Sequence, residues 1–126
     1  MDPESAARNF NSFPLPRYST CFVCGKENPI GLDITFWYHN GRIETAFTPG
    51  PKHTGYQNIT HGGILATLLD ECMGWSGVVS RPILCKSVEL TIRYKYPAVQ
   101  NQPCMIWGEL IEDKTRMILT RGAIEN

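Results

Sequence analysis

Residues 60–80, THGGILATLLDECMGWSGVVS, decide the fold. The stretch is apolar over most of its length, carries charge only at Asp70 and Glu71, and contains no proline. An apolar run this long, without turn chemistry, reads as one buried helix of roughly five turns. Thr60 is placed as its N-cap, with His61, Gly62 and Gly63 in the first turn. Two adjacent carboxylates inside such a helix need partners or a task, because an unpaired buried charge is costly.

Working toward the N-terminus, residues 48–59 (TPGPKHTGYQNI) form an aperiodic loop that delivers the chain to His61. Loops of this length inside a compact domain are often functional. Before it, Leu32, Ile34, Phe36 and Tyr38 alternate with Asp33, Thr35, Trp37 and His39, the period-two pattern of a strand. Asn40-Gly41 is the dipeptide of a type I′ hairpin, so residues 42–47 return as an antiparallel strand. Cys21-Phe-Val-Cys24-Gly25 invites two sharper readings. A structural zinc site takes four ligands, and no second Cys pair or His/Cys cluster accompanies this one. A thioredoxin-like redox site would need a βαβ setting that this sequence lacks. The pair therefore reads as two small apolar side chains at a tight turn. Residues 1–19 lack periodicity and read as an arm, a loose tail in preference to one docked through Phe10, Phe13 and Leu15 on a domain spanning 20–126.

Working toward the C-terminus, Arg81-Pro82 ends the helical pattern. Residues 87–96 alternate Val88, Leu90, Ile92, Tyr94 and Tyr96 with Glu89, Thr91, Arg93 and Lys95, the clearest strand pattern in the chain. Residues 104–112 and 116–124 follow as two more strands around an Asp113-Lys114-Thr115 turn. The order ββαβββ predicts an α+β domain, an antiparallel sheet wrapped around one long helix.

Composition excludes several function classes. Twelve basic and twelve acidic side chains in 126 residues leave no net charge, which argues against nucleic acid or an anionic membrane as partner. The sequence shows neither a basic-then-apolar leader nor an apolar run long enough for a membrane span. Five cysteines, an odd count, fit reduced thiols, so a cytoplasmic location is expected.

The chemistry concentrates on the helix. Unpaired N–H groups at a helix start, at the positive end of its dipole, attract an anion or polarise a carbonyl. Two glycines there let a substrate approach the backbone. Asp70 lies nine positions beyond His61, about 13.5 Å along the axis and roughly on the opposite side. One chain cannot bring both to a single substrate atom. Either they do unrelated jobs, or a symmetric dimer with antiparallel helices sets one chain's Asp70 near its partner's Gly62.

The motifs CFVCGKENPIGL, HGGILATLLDECMG and SVELTIRYKYPA together resemble the hotdog-fold acyl-CoA thioesterases, in particular the phenylacetate-pathway (PaaI-like) and 4-hydroxybenzoyl-CoA branch, over about residues 20–125. The resemblance implies hydrolysis of an acyl-CoA thioester by a homodimer or dimer of dimers, with coenzyme A as part of the substrate and no separate cofactor; with the CxxC pair read as apolar side chains, no metal is expected. It implies that the Gly62 N–H polarises the thioester carbonyl, that His61 shapes that site, and that Asp70 of the opposite subunit activates water or attacks the carbonyl. Ser87 matches a Ser/Thr that positions the water or the carboxylate. Glu71, Gly63 and Asn58 are secondary candidates: Glu71 adjoins Asp70 but points about 100° away, and Asn58 stands near where relatives carry a polar residue before His-Gly-Gly. The absence of a GxSxG elbow leaves a serine-hydrolase mechanism without support. A non-catalytic acyl-CoA binding or sensing protein is the alternative on the same fold. Met73, Trp75 and Trp107 are candidates for an acyl pocket, and Arg93, Lys95, Lys114, Arg116 and Arg121 for coenzyme A phosphates; plain core and a solvated strand face explain them equally well. Members of the resembled family continue through a further strand after the fifth, whereas this sequence stops at Glu125-Asn126; either the sequence is truncated or the sheet lacks that strand, which would leave an open edge.

Overall fold

Asn40 and Gly41 both take positive φ, 49° and 81°, the geometry a type I′ turn demands. They join β2 (Trp37–His39) to β3 (Arg42–Phe47) in the register Trp37↔Glu44, Tyr38↔Ile43 and His39↔Arg42. The computed structural model describes residues 12–81, 83 and 85–126. Besides these strands it contains β1 (Ser12–Pro14), a single 3-10 turn at Pro51–His53, helix α1 (Gly62–Ser80), β4 (Cys104–Asp113) and β5 (Ile118–Glu125). The sheet order is β1-β2-β3-β4-β5, with every neighbouring pair antiparallel.

α1 buries Leu65, Leu68, Leu69, Cys72 and Ser76, positions three or four apart that form one stripe of a helix. Leu68, Leu69 and Cys72 share a core with Phe36, Ile43, Phe47 and Ile106 of the sheet side. Close approach of helix and sheet depends on the paired glycines Gly108 and Gly122. A Cβ at Gly108 would lie 3.1 Å from the Cys72 carbonyl oxygen, and one at Gly122 would lie 3.1 Å from the Met73 Cγ.

Three expectations are corrected. The stretch read as an arm supplies β1 and the buried Leu15; Phe10, like Pro82, lies outside the described residues. The strand expected from Leu32 is ordered only at Trp37–His39. Asp33, at φ 56°, breaks the regular extended backbone. Leu32 and Ile34 instead donate to Phe22 and Val23 carbonyls in the CxxC loop.

The third correction concerns residues 87–96. They form no strand, and among the described residues their backbone makes no hydrogen bond to other backbone. Val88, Leu90, Tyr94 and Tyr96 are exposed, and only Ile92 packs against the core. Alternation specifies two faces of a segment but not a neighbour to pair with. Between this segment and β5, whose outer edge has no strand partner among the described residues, lie two clefts of about 450 and 650 Å³.

Candidate active site

α1 is capped by His61 rather than Thr60. The His61 Nδ1 accepts a hydrogen bond from the Gly63 N–H at 2.8 Å. Thr60 is drawn away by its own backbone bond to the Ala98 carbonyl at 2.8 Å, which leaves its buried hydroxyl without a partner among the described residues. The His61 N–H is taken by the His53 carbonyl at 2.7 Å, so the loop before the helix is tied to its start. The Gly62 N–H makes no hydrogen bond among the described residues. It opens on a depression of about 400 Å³ bordered by Gly55, Tyr56, Ile59 and His61.

Asp70, two turns further along, accepts a hydrogen bond from the Ser87 hydroxyl. The two residues border a separate depression of about 360 Å³ with Ala66 and Thr67. Ser87 begins the segment 87–96, which forms no strand, so the alternation read from the sequence does not fix the direction of its side chain. The same segment meets the helix again at its start, where the Tyr94 hydroxyl donates to the Gly62 carbonyl at 2.9 Å. Sequence reasoning missed Tyr94, reading it as one residue of an apolar strand face; its hydroxyl among aliphatic neighbours was the available signal. Both contact points thus look toward one segment. Gly62 and Asp70 differ by eight positions, about 80° of net rotation, where His61 and Asp70 differ by about 180°. They remain separated by about 12 Å along the axis. Within one chain they border different depressions.

The sheet and helix superpose on a solved structure of a thioesterase superfamily protein with a TM-score of 0.78 and 25% sequence identity, covering 85% of this chain and 53% of that one. This is the hotdog fold of the thioesterase superfamily. Zebrafish thioesterase superfamily member 2 shares the hotdog fold at a TM-score of 0.58 and 18% identity, over 76% of this chain and 84% of that one. Among curated proteins, the hotdog chain is 28% identical over 105 residues to the acyl-coenzyme A thioesterase THEM4 of Xenopus laevis, covering 79% of this chain and 46% of the relative. It is 32% identical over 78 residues to the uncharacterized mitochondrial membrane protein FMP10 of Saccharomyces cerevisiae, covering 58% of this chain and 32% of the relative. The chain therefore spans less than half the length of either curated relative. No family model matches the sequence. No helix among the described residues is long and apolar enough to cross a membrane.

The remaining candidates disperse over the hotdog domain. Glu71 turns away from Asp70 to the CxxC loop, where its Oε1 accepts from the Cys21 thiol at 3.0 Å. Burial pushes the Cys24 thiol up to about 12, with the Glu71 carboxylate beside it acting in the same direction. Asn58 is exposed at φ 62° and its carbonyl accepts from the Gln100 N–H at 2.8 Å, which places it in the loop scaffold. Trp107 lies beneath the Arg42 guanidinium, 3.9 Å from the ring centroid, and donates to Glu125. Arg121 is engaged by Glu109 at 2.7 Å and Lys114 by Glu112 at 3.9 Å. Met73, Arg93, Lys95 and Arg116 border the two clefts beside the extended segment.

Proposed function

We propose that this chain hydrolyses an acyl-CoA thioester to a free acid and coenzyme A, with each active site assembled from two copies. The observation that carries the reading is the unpaired Gly62 N–H at an open helix start, with a Ser87-anchored carboxylate on the same helix too far along the axis to serve it. Two antiparallel helices related by a twofold axis bring Gly62 of one copy to Asp70 of the other.

In this reading the Gly62 N–H, aided by the helix dipole, takes the charge that develops on the thioester oxygen. His61 keeps that N–H available by capping Gly63 instead. Asp70 of the other copy removes a proton from water as it attacks the carbonyl carbon, or attacks the carbon itself, and Ser87 holds the carboxylate in place. Collapse of the tetrahedral intermediate breaks the C–S bond; where Asp70 is the nucleophile, this leaves a mixed anhydride on its carboxylate, which water then hydrolyses to the free acid. The departing thiolate is a weak base, with a model thiol pKa of about 8.5, so little general-acid help is needed. Arg93, Lys95 and Arg116 beside the clefts are the cations available for coenzyme A phosphates; Arg121 and Lys114 already have carboxylate partners.

Release of free thiol from a panel of acyl-CoAs tests the reading. Wild type releases thiol and Asp70→Asn does so far more slowly. Binding of acyl-CoA without thiol release would replace hydrolysis by the binding or sensing reading. Equal rates for wild type and Asp70→Asn would remove Asp70 from the mechanism.

A further inference from the structure

The CxxC pair has a third companion that its own sequence neighbourhood does not show. Cys21 Sγ, Cys24 Sγ and a Glu71 carboxylate oxygen all lie within 4.8 Å of one another. Cys24 is buried and Cys21 half-buried. Glu71 reaches them from the middle of α1: one oxygen is 3.0 Å from Cys21 Sγ, and the other, Oε2, is buried with no hydrogen-bond partner among the described residues. A buried carboxylate oxygen without a donor is costly, and a cation is the partner that two sulfurs and a carboxylate jointly favour.

The loop is built as a ligand turn. The backbone N–H groups of Val23 and Cys24 point at Cys21 Sγ, at 3.3 and 3.5 Å, and such donors stabilise a thiolate. The Gly25 N–H donates to the Cys21 carbonyl at 2.9 Å and closes the turn. A Cβ at Gly25 would lie 2.5 Å from the Ser19 carbonyl oxygen and 2.6 Å from the Cys21 backbone, so the chain doubles back this tightly only with glycine. Arg17 fastens the loop from outside, donating through Nε to the Cys24 carbonyl at 2.6 Å while its guanidinium pairs with Asp33.

We propose that Cys21, Cys24 and Glu71 form a site for a zinc-class divalent metal ion. With Zn–S bonds of about 2.3 Å, tetrahedral geometry sets two sulfurs roughly 3.8 Å apart, a spacing this cluster accommodates. Two thiolates and a carboxylate offset the ion's double positive charge with one negative charge to spare, and a water fills the fourth position. Binding releases the two thiol protons to solvent. The ion would tie the N-terminal loop to the helix turn that carries Asp70. The site is independent of the hydrolase reading, because Glu71 and Asp70 leave the helix in different directions. It departs from the expectation of no metal, which considered the CxxC pair alone.

Cobalt(II) titration of the full chain, reduced and stripped of metal by chelation, tests the proposal. Wild type should bind one cobalt per chain with a sulfur-to-cobalt charge-transfer band and intense tetrahedral d–d bands. Zinc should displace the cobalt and raise Tm by a few degrees. Glu71→Gln should weaken binding by about tenfold or more and shift the d–d bands. The Cys21→Ser/Cys24→Ser double variant should lose the sulfur band. Where that variant fails to fold, alkylation of wild type mapped by mass spectrometry decides. Bound zinc should protect Cys21 and Cys24 while the exposed Cys85 still reacts. A cobalt spectrum without a sulfur band, as expected for an ion held by His39, His53 or His61, would overturn the site. So would equal alkylation of Cys21 with and without zinc, or a Cys21–Cys24 disulfide that forms readily in its presence.

Discussion

Asp70 depends on a hydroxyl seventeen residues further along its own chain, and that dependence can be tested one residue at a time. In the hydrolase reading Asp70→Asn should lower kcat by about a hundredfold or more, the range of a lost general base, with Tm little changed because the side chain is only partly buried. Ser87→Ala should lower kcat by about tenfold, the value of a hydrogen bond to a charged group; thiol-release kinetics check both. Leu68 tests the core instead. It is fully buried against the sheet, and Leu68→Ala should cost about 2–5 kcal/mol in urea unfolding.

At the scale of elements, the strands are cross-braced by charge as well as by backbone bonds. Glu109 on β4 stands directly between Arg42 on β3 and Arg121 on β5. The hydrogen bond from Arg121, then that from Arg42, holds its carboxyl below the usual glutamate range. A lowered folded-state pKa means that the contribution is fully present above the unfolded glutamate value and is lost as pH falls through the lowered one. Arg121→Gln should therefore move the Glu109 titration upward, as read by carboxyl NMR, and flatten this part of the acid-side loss of stability. The effect should be small, since Arg121 is largely exposed. The extended segment 87–96 makes the opposite prediction. Without backbone hydrogen-bond partners among the described residues, its amides should exchange with solvent about a hundredfold faster than those of β4 in a monomeric sample.

For the whole molecule, the arrangement of Gly62 and Asp70 on one helix makes association a functional requirement of the hydrolase reading. Sedimentation should show a dimer or a dimer of dimers in active samples. A mixing experiment is sharper. Gly62→Val and Asp70→Asn chains should each be nearly inactive alone. Refolded together in equal amounts, they should recover about a quarter of wild-type activity, because half of the dimers are mixed and each carries one intact site. Full activity in a strictly monomeric sample would exclude the shared site.

Much of the architecture is readable locally. The proline-free apolar run of α1 and the Asn40-Gly41 turn each express a backbone preference carried by neighbouring residues. The same logic misjudged residues 87–96, because alternation reports which way side chains point and not whether an edge lies alongside. It also placed the cap at Thr60, since only the fold reveals that Ala98 claims the Thr60 backbone and leaves His61 to cap. Helix α1 was legible as a rod with two acids in its middle. That Asp70 meets Ser87 while Glu71 meets Cys21, fifty residues before it, was decided by tertiary structure alone. Helix rotation separates neighbouring side chains by about 100°, but what waits in each direction depends on packing between distant parts of the chain.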